Sequence, residues 1–428
     1  MKIESISLLL VIPFLFFGCQ EASRFLDHAI NPKVHETKAS SNALNSCNID
    51  KTISLVSKNQ NELLKNLELG LGYYFNNNLK QSNTYFGRAT NLYRMNEDKA
   101  IIDISTLLRK EYQGEGYDKV FLHNYQAINY LLMGNAEEAR VEVKNSNFVQ
   151  EQEKKKLKEF VKKNSKSNKN SILISRYQKL FDSVNPQHNP YQNPYAYYIS
   201  ALAYAEERDY DNARIDIQRA IKFAPDSKML EEKLKSYQHG KAEKTVEIFF
   251  DIGQSPLKSQ VQLPLDMENK ETRMAYMPSF IIDISDIEYI KITDSKGKEV
   301  ARSSLLVDIN AIKINEFQQK LPSIIYLISK EAMTSITSAT LEGKSKFITG
   351  LFNATRAIYG QNDISTWSLL PQKILVASFV PNDEEYEIIV VSKDEKVLNQ
   401  YPLRLLKSSK TKNIYRHFTL RGNELCKQ

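Results

Sequence analysis

The sequence predicts an α+β protein, with N-terminal α-helical repeats over residues 59–238 and an antiparallel, β-rich domain with a helical insertion over residues 243–428. Two observations carry that prediction. From Leu63 to Leu234 apolar residues recur at helical spacing and one five-position pattern returns three times; after His239-Gly240 the period changes to two. A third observation, a short apolar run ending in Gly18-Cys19, sets the N-terminus apart from both halves. Length and composition agree with a folded protein of two or three domains: 428 residues, 42% apolar, 25% charged, with 14 Gly and 13 Pro, exclude collagen-like, low-complexity and wholly disordered chains. A mean hydropathy of −0.45 and the lack of a second long apolar run exclude a multispanning membrane protein.

The N-terminus reads Met1-Lys2, then apolar from Ile6 to Phe17, then Gly18-Cys19. The run is shorter than the roughly 20 residues a membrane span needs, so it reads as a secretory signal. A thiol directly after a small residue at the end of such a run can be made a thioether to diacylglycerol before cleavage, and Phe16-Phe17-Gly18-Cys19 resembles a bacterial lipobox. The expectation is a signal peptide over 1–18, a lipid on Cys19, and stable membrane anchoring by more than one acyl chain. Gln20, where a retained inner-membrane lipoprotein resembles a pattern with Asp, directs the protein to the periplasmic face of the outer membrane. In that oxidising compartment Cys47 and Cys426 can pair, and the sequence leaves the paired and free states both open. Residues 19–58, with Asn31-Pro32 and Ala39-Ser40-Ser41-Asn42, read as a tether.

The repeat becomes visible when Gly70, Ala127 and Ala201 are aligned. Each is followed after three residues by Tyr (Tyr73, Tyr130, Tyr204) and after twelve by a small residue (Ser82, Ala139, Ala213). After sixteen comes a bulky apolar residue (Phe86, Val143, Ile217), and after nineteen another small one (Ala89, Ser146, Ala220). Small residues on facing helices let two antiparallel helices approach, while Tyr and the bulky residue fill the groove beside them. Asn76-Asn77-Asn78, Gly134-Asn135 and Arg208-Asp209 supply the turns, and Pro225 closes the last copy. The spacing resembles the tetratricopeptide repeat, most closely over Tyr197 to Pro225. The copies stand 57 and 74 residues apart, so extra material separates them: an apolar helix near Ile101 to Leu108 and a Lys-rich segment.

In the second half, alternation over Thr245–Ile252, Gln260–Leu265 and Phe280–Ile284 predicts half-buried strands. Ile287–Ile292 and Glu299–Arg302 flank Ser295-Lys296-Gly297-Lys298 as a hairpin. A helical insertion follows over about 311–358, broken near Pro322 and Gly350, before strands resume at Lys373–Val380 and Tyr386–Val391.

The run Tyr112-Gln113-Gly114-Glu115-Gly116-Tyr117-Asp118-Lys119-Val120, then His123 to Tyr130, Asn193-Pro194-Tyr195, Leu263-Pro264-Leu265 and Ser365 to Pro371 together resemble a family of bacterial tetratricopeptide-like cell-envelope lipoproteins. The likeness covers roughly residues 60–400, with Thr366 where the family carries Arg before its Trp. The resemblance implies an envelope lipoprotein, often encoded beside lipoproteins that support peptidoglycan synthases, and it implies no reaction.

Motifs that carry chemistry are absent. The six His are scattered, without HExxH or Cys/His zinc spacing, and there is no GxSxG elbow, so neither metal, cofactor nor catalytic nucleophile is expected. Gly343-Lys344-Ser345 resembles the tail of a phosphate loop, but Ser338 stands where the first glycine is required. Residues 151–170 hold eight Lys and three Glu; they read as a solvated helix whose Lys154, Lys155 and Lys156 can make a weak contact with an anionic surface, each Lys worth about 1 kcal/mol there. Nucleic acid is not an expected partner in a periplasmic location.

A concave groove between repeats suits extended peptides gripped by aromatic and amide side chains. By repeat geometry Tyr74, Asn124 and Leu131 line that groove, and Tyr195 and Tyr198 belong to a tyrosine-rich stretch beside it; packing between repeats is the competing role for the same residues. Glu115, between two glycines, is expected to be exposed as a contact residue. The functional expectation is therefore a non-enzymatic, lipid-anchored periplasmic scaffold that binds a cell-envelope protein. The rival is an envelope hydrolase or glycan-binding protein with its site in the C-terminal domain. Two carboxylates converging near Trp367, itself expected as a core anchor, would favour the rival.

Overall fold

The computed structural model describes residues 32–97, 112–164, 174–185, 191–238, 240, 243–266, 272–340, 364–405 and 412–426. Cys19, the apolar stretch 101–108, the end of the Lys run and Gly343-Lys344-Ser345 lie outside the described residues. The stretch read as a tether folds over much of its length, which corrects that expectation. Helices α1 (Pro32–Asn45) and α2 (Ile49–Val56) carry Leu44, Ile49 and Val56 into the main core. Asn48 caps α2 by accepting the Lys51 N–H at 3.0 Å. A Ser/Asn-rich composition masked this short apolar stripe. The turn between the helices holds Cys47, which is disulfide-bonded to Cys426 near the C-terminus.

Each copy of the five-position pattern forms one helix hairpin: α3 (Glu62–Phe75) with α4 (Leu79–Glu97), α5 (Gly116–Met133) with α6 (Ala136–Asn164), and, after the short α7 (Gln178–Phe181), α8 (Pro194–Glu206) with α9 (Tyr210–Phe223). All three connecting turns contain a left-handed residue, Asn77, Gly134 and Arg208. The small positions act as expected. Ser82 donates to the Gly70 carbonyl at 2.7 Å, and a Cβ on Gly70 would lie 2.5 Å from the Phe86 ring. Ala89, Ala139, Ala213 and Ala220 are fully buried between their helices. Helix α10 (Lys228–Gln238) completes this half.

The C-terminal half is built from strands β1 (Val246–Ile252), β2 (Leu257–Asp266), β3 (Thr272–Ile281), β4 (Ile287–Asp294), β5 (Glu299–Arg302) and β6 (Ser304–Asp308). Helix α11 (Ile309–Thr340) follows, then β7 (Lys373–Phe379), β8 (Glu385–Ser392), β9 (Val397–Arg404), β10 (Ile414–Arg421) and β11 (Glu424–Leu425). One sheet has the order β11-β10-β1-β7-β6, antiparallel except for the parallel pair β1 and β10; a second has the antiparallel order β5-β4-β8-β9. Strands β2 and β3 form a separate two-stranded arm. The third predicted strand is displaced, because β3 ends at Ile281. Pro322 sits inside α11 without ending it, its turn held by buried Leu321, Ile324 and Ile325. Pro381-Asn382-Asp383 carries the chain from one sheet to the other.

Strand β1 sets the layering, since every one of its residues is buried. Val246, Ile248, Phe250 and Ile252 pack against Ile290, Ile292, Ile388 and Val390 of the second sheet, while Phe249 on the opposite face joins the helical core. The five-stranded sheet is therefore the middle of three layers, with helix hairpins on one face and the four-stranded sheet on the other.

Candidate functional site

Expected groove residues do line the inner face of the hairpins, but that face is filled by the chain's own sheet. Tyr198 donates to Glu247 at 2.5 Å, Tyr195 meets Phe249 edge-on at 6.2 Å between ring centroids, and Tyr125 donates to Asp251 at 2.8 Å. Three alternate residues of β1 thus each meet a tyrosine from the first helix of a hairpin. Tyr74 stacks on His417 of β10 at 4.2 Å. Asn124 accepts the Ser146 hydroxyl at 2.8 Å, and Leu131 lies in the core. Tyr74, Asn124, Leu131, Tyr195 and Tyr198 are all 0% exposed, so their assignment as an open partner-binding surface is corrected. The physical reason is that β1 buries both faces: Glu247 and Asp251, polar positions in an alternating strand, accept from phenol, hydroxyl and ammonium donors of the chain itself. Glu247 accepts from Tyr198, Lys233, Thr245 and Ser378.

Three of the segments that carried the family resemblance, Tyr112–Val120, His123–Tyr130 and Ser365–Pro371, lie far apart in sequence and meet around Lys313 and Trp367 at one seam between helices and sheet. At its outer end, the Gly114-Glu115-Gly116 turn enters α5. Gly114 has φ +80° and faces Tyr93, and a Cβ on Gly116 would collide with the Tyr191 hydroxyl, so neither position accepts a side chain without displacement. Glu115 precedes the helix, and its N–H donates to Asp118 at 2.8 Å. The Glu115 side chain is 23% exposed rather than free in solvent; its carboxylate accepts from Lys258 of β2 at 2.5 Å and from Lys320 of α11 at 3.3 Å. Burial alone would raise its pKa, but those two ammonium groups hold it well below the usual carboxylate range. Lys320 also pairs with Glu316, whose other oxygen accepts the Tyr191 hydroxyl at 2.9 Å.

At the inner end lies a cluster that the sequence did not announce. Lys313 is 1% exposed, and its Nζ donates to Ser255 at 2.9 Å, Thr366 at 3.2 Å and the Trp367 carbonyl at 3.3 Å. Burial pulls its pKa down to about 8, against the opposing field of Asp118. Glu68 is also fully buried, and accepts the Ser368 N–H at 2.7 Å, the Ser368 hydroxyl at 2.8 Å and the Leu369 N–H at 3.2 Å. Burial pushes it up to about 7, and the three donors with Lys313 pull it back only in part. Asp118, bonded to the Tyr112 hydroxyl, is pushed up to about 6 by burial. Trp367 anchors the centre, edge-on to Phe86 at 6.0 Å and Tyr125 at 6.4 Å.

Two carboxylates and an ammonium with pKa values near neutrality thus gather beside Trp367, an arrangement able to store and exchange protons. The hollow at the outer end of the seam measures about 120 Å³ and borders Glu115, Lys258, Lys313 and Lys320. Lys154, Lys155 and Lys156 lie elsewhere, on α6, where Lys156 pairs with Glu153 at 2.8 Å. Among the described residues no group of three His, Cys, Asp or Glu is placed to hold a metal ion.

Sequence signals for Glu68 and Lys313 exist in retrospect. Glu68 occupies the apolar stripe of α3 between Leu64 and Leu71, and Lys313, Glu316 and Lys320 recur at helical spacing within the stripe of Ile309, Ile312, Phe317 and Leu321. A charged residue inside an apolar stripe is a buried charge in need of a partner. No family model, no curated protein and no solved structure matches this chain.

Proposed function

We propose that the chain is a lipid-anchored periplasmic adaptor of the outer membrane, whose tetratricopeptide-like hairpins bind a cell-envelope protein through their outer face rather than their inner one. One observation carries this reading. Met95 (57% exposed), Val141 (53%), Phe148 (65%) and Ile215 (44%) are large apolar side chains left in solvent, and they stand on α4, α6 and α9, the second helix of each hairpin. Phe148 borders a hollow of about 200 Å³ between α4, α5 and α6, a shape that receives a side chain from a partner. The inner face, occupied by β1 and β10, supplies rigidity. A link to peptidoglycan synthesis rests on the family resemblance, and the lipid on Cys19 on the lipobox.

The test is in-cell crosslinking of the full-length protein. A reproducible envelope adduct is expected, reduced at least tenfold by Val141→Glu with Phe148→Glu; an adduct unaffected by both changes would overturn the outer-face reading. A Cys19→Ala variant is expected to leave the membrane fraction while keeping its melting temperature.

A second reading, an envelope hydrolase or glycan-binding protein, is favoured by Glu68 and Asp118 flanking Lys313 beside Trp367. Both carboxylates are fully buried and bonded within the protein, so this reading requires the seam to open. Accelerated turnover of an envelope glycan by the purified chain, lost in Glu68→Gln, would establish it.

A further inference from the structure

Away from both the seam and the outer ridge, a cleft of about 650 Å³ opens at one end of the sandwich between α10, the β4–β5 hairpin and the paired ends of β1 and β7. Its volume falls within the roughly 300–1,000 Å³ common for small-ligand sites.

Three features of its lining point to one kind of occupant. The floor presents Lys233, Thr245 and Ser378, all bonded to the buried Glu247 carboxylate beneath them, so the Lys233 charge is already neutralised; the Thr245 oxygen accepts from Lys233 at 3.2 Å and keeps one lone pair, as the Ser378 oxygen does, for a ligand's N–H groups. One wall is apolar, formed by Met229, Phe379 and the half-exposed Val380. The rim carries Glu232, Glu243 and Lys298, all exposed, and none of them ion-paired with a described residue. Glu299 beside them is matched by Arg302 at 3.1 Å and Lys291 at 3.6 Å. The unmatched rim charge is thus two carboxylates against one ammonium, in a protein whose overall net charge is +7.

We infer that this cleft binds a short peptide carrying a free cationic amine, its ammonium between Glu232 and Glu243, its carboxylate toward Lys298, and its apolar side chains on the Met229–Phe379 wall. Peptide N–H groups match the Thr245 and Ser378 oxygens, which a simple alkylamine would leave unused. The site is independent of the adaptor reading, because no residue of the outer ridge or of the seam contributes to it.

The experiment titrates full-length protein in non-ionic detergent with three probes: Ala-Ala-Ala, N-acetyl-Ala-Lys-Ala, and N-acetyl-Ala-Lys-Ala whose lysine is also acetylated. Binding is read by calorimetry. Either or both of the first two are expected to bind, distinguishing an N-terminal from a side-chain amine, and the third to bind at least tenfold more weakly. Glu232→Gln with Glu243→Gln is expected to weaken binding at least tenfold with an unchanged melting temperature, since both side chains are exposed. No binding of either amine at millimolar concentration, equal binding of the acetylated peptide, or an affinity unchanged in the double variant would each overturn the inference.

Discussion

Glu68 shows how a single residue can tie two halves of a chain together. Its carboxylate, on the first helix hairpin, accepts three bonds from Ser368 and Leu369, 300 residues away in sequence. Because its folded pKa of about 7 exceeds the ordinary 4.5, the folded protein binds more protons than the unfolded chain between those values. Its contribution to stability is therefore greatest at low pH and declines as pH rises from about 4.5 to 7. Glu68→Gln, which stays neutral and keeps an acceptor, is expected to flatten that decline. Melting temperatures of the two proteins should converge near pH 4.5 and separate toward pH 7.5, the variant being the more stable at the upper end; parallel profiles would show that Glu68 does not carry the raised pKa. Asp118 and Asp251, both pushed up to about 6 by burial, slope the same way at slightly lower pH. Lys313 acts in the opposite direction: with a pKa of about 8, it makes stability rise with pH from there toward 10.5.

At the scale of elements, glycine substitutions separate what a helix tolerates from what the seam requires. Gly87 lies within α4 with no atom near an added Cβ, so Gly87→Ala is expected to stabilise by about 0.5–1 kcal/mol. Gly116, at the start of α5, faces the Tyr191 hydroxyl and Glu153, and Gly116→Ala is expected to cost about 1–3 kcal/mol. Urea denaturation of both variants checks the two signs together. The helix hairpins were legible in sequence because their small residues repeat, and the first strand because it alternates. What stayed hidden was that β1 is buried on both faces. Alternation marked Glu247 and Asp251 as solvent-facing, whereas the phenol groups that compensate them come from helices 49 and 126 residues earlier. For the same reason Tyr74, Tyr195 and Tyr198 could be placed on the inner face but not recognised as filled. Strand β10, the parallel neighbour of β1, carries Arg416, His417 and Arg421 among its apolar residues, which blurred its pattern. Residues 32–56 were missed because four Ser and three Asn residues surround one narrow apolar stripe.

For the whole molecule, the disulfide between Cys47 and Cys426 closes nearly the full length of the chain, with 379 residues of sequence separation. It fastens the first helices to the last strand, and its loss is expected to cost about 2–5 kcal/mol. A Cys47→Ser, Cys426→Ser variant should therefore melt at lower temperature than the oxidised protein and match the reduced one; equal melting of all three would mean the bond adds nothing. The same closure holds the first helices against the sheet end, and on the adaptor reading proposed above an external partner meets the hairpins from their outer face.

The most direct test of that central claim places a photocrosslinking residue at Tyr198 in the full-length protein in cells, with Phe148 as the comparison position. The Tyr198 position is expected to crosslink within the chain, to the strand carrying Glu247, and the Phe148 position to form an adduct with another envelope protein. An intermolecular adduct from the Tyr198 position would contradict it, showing that the inner face of the hairpins is open to partners.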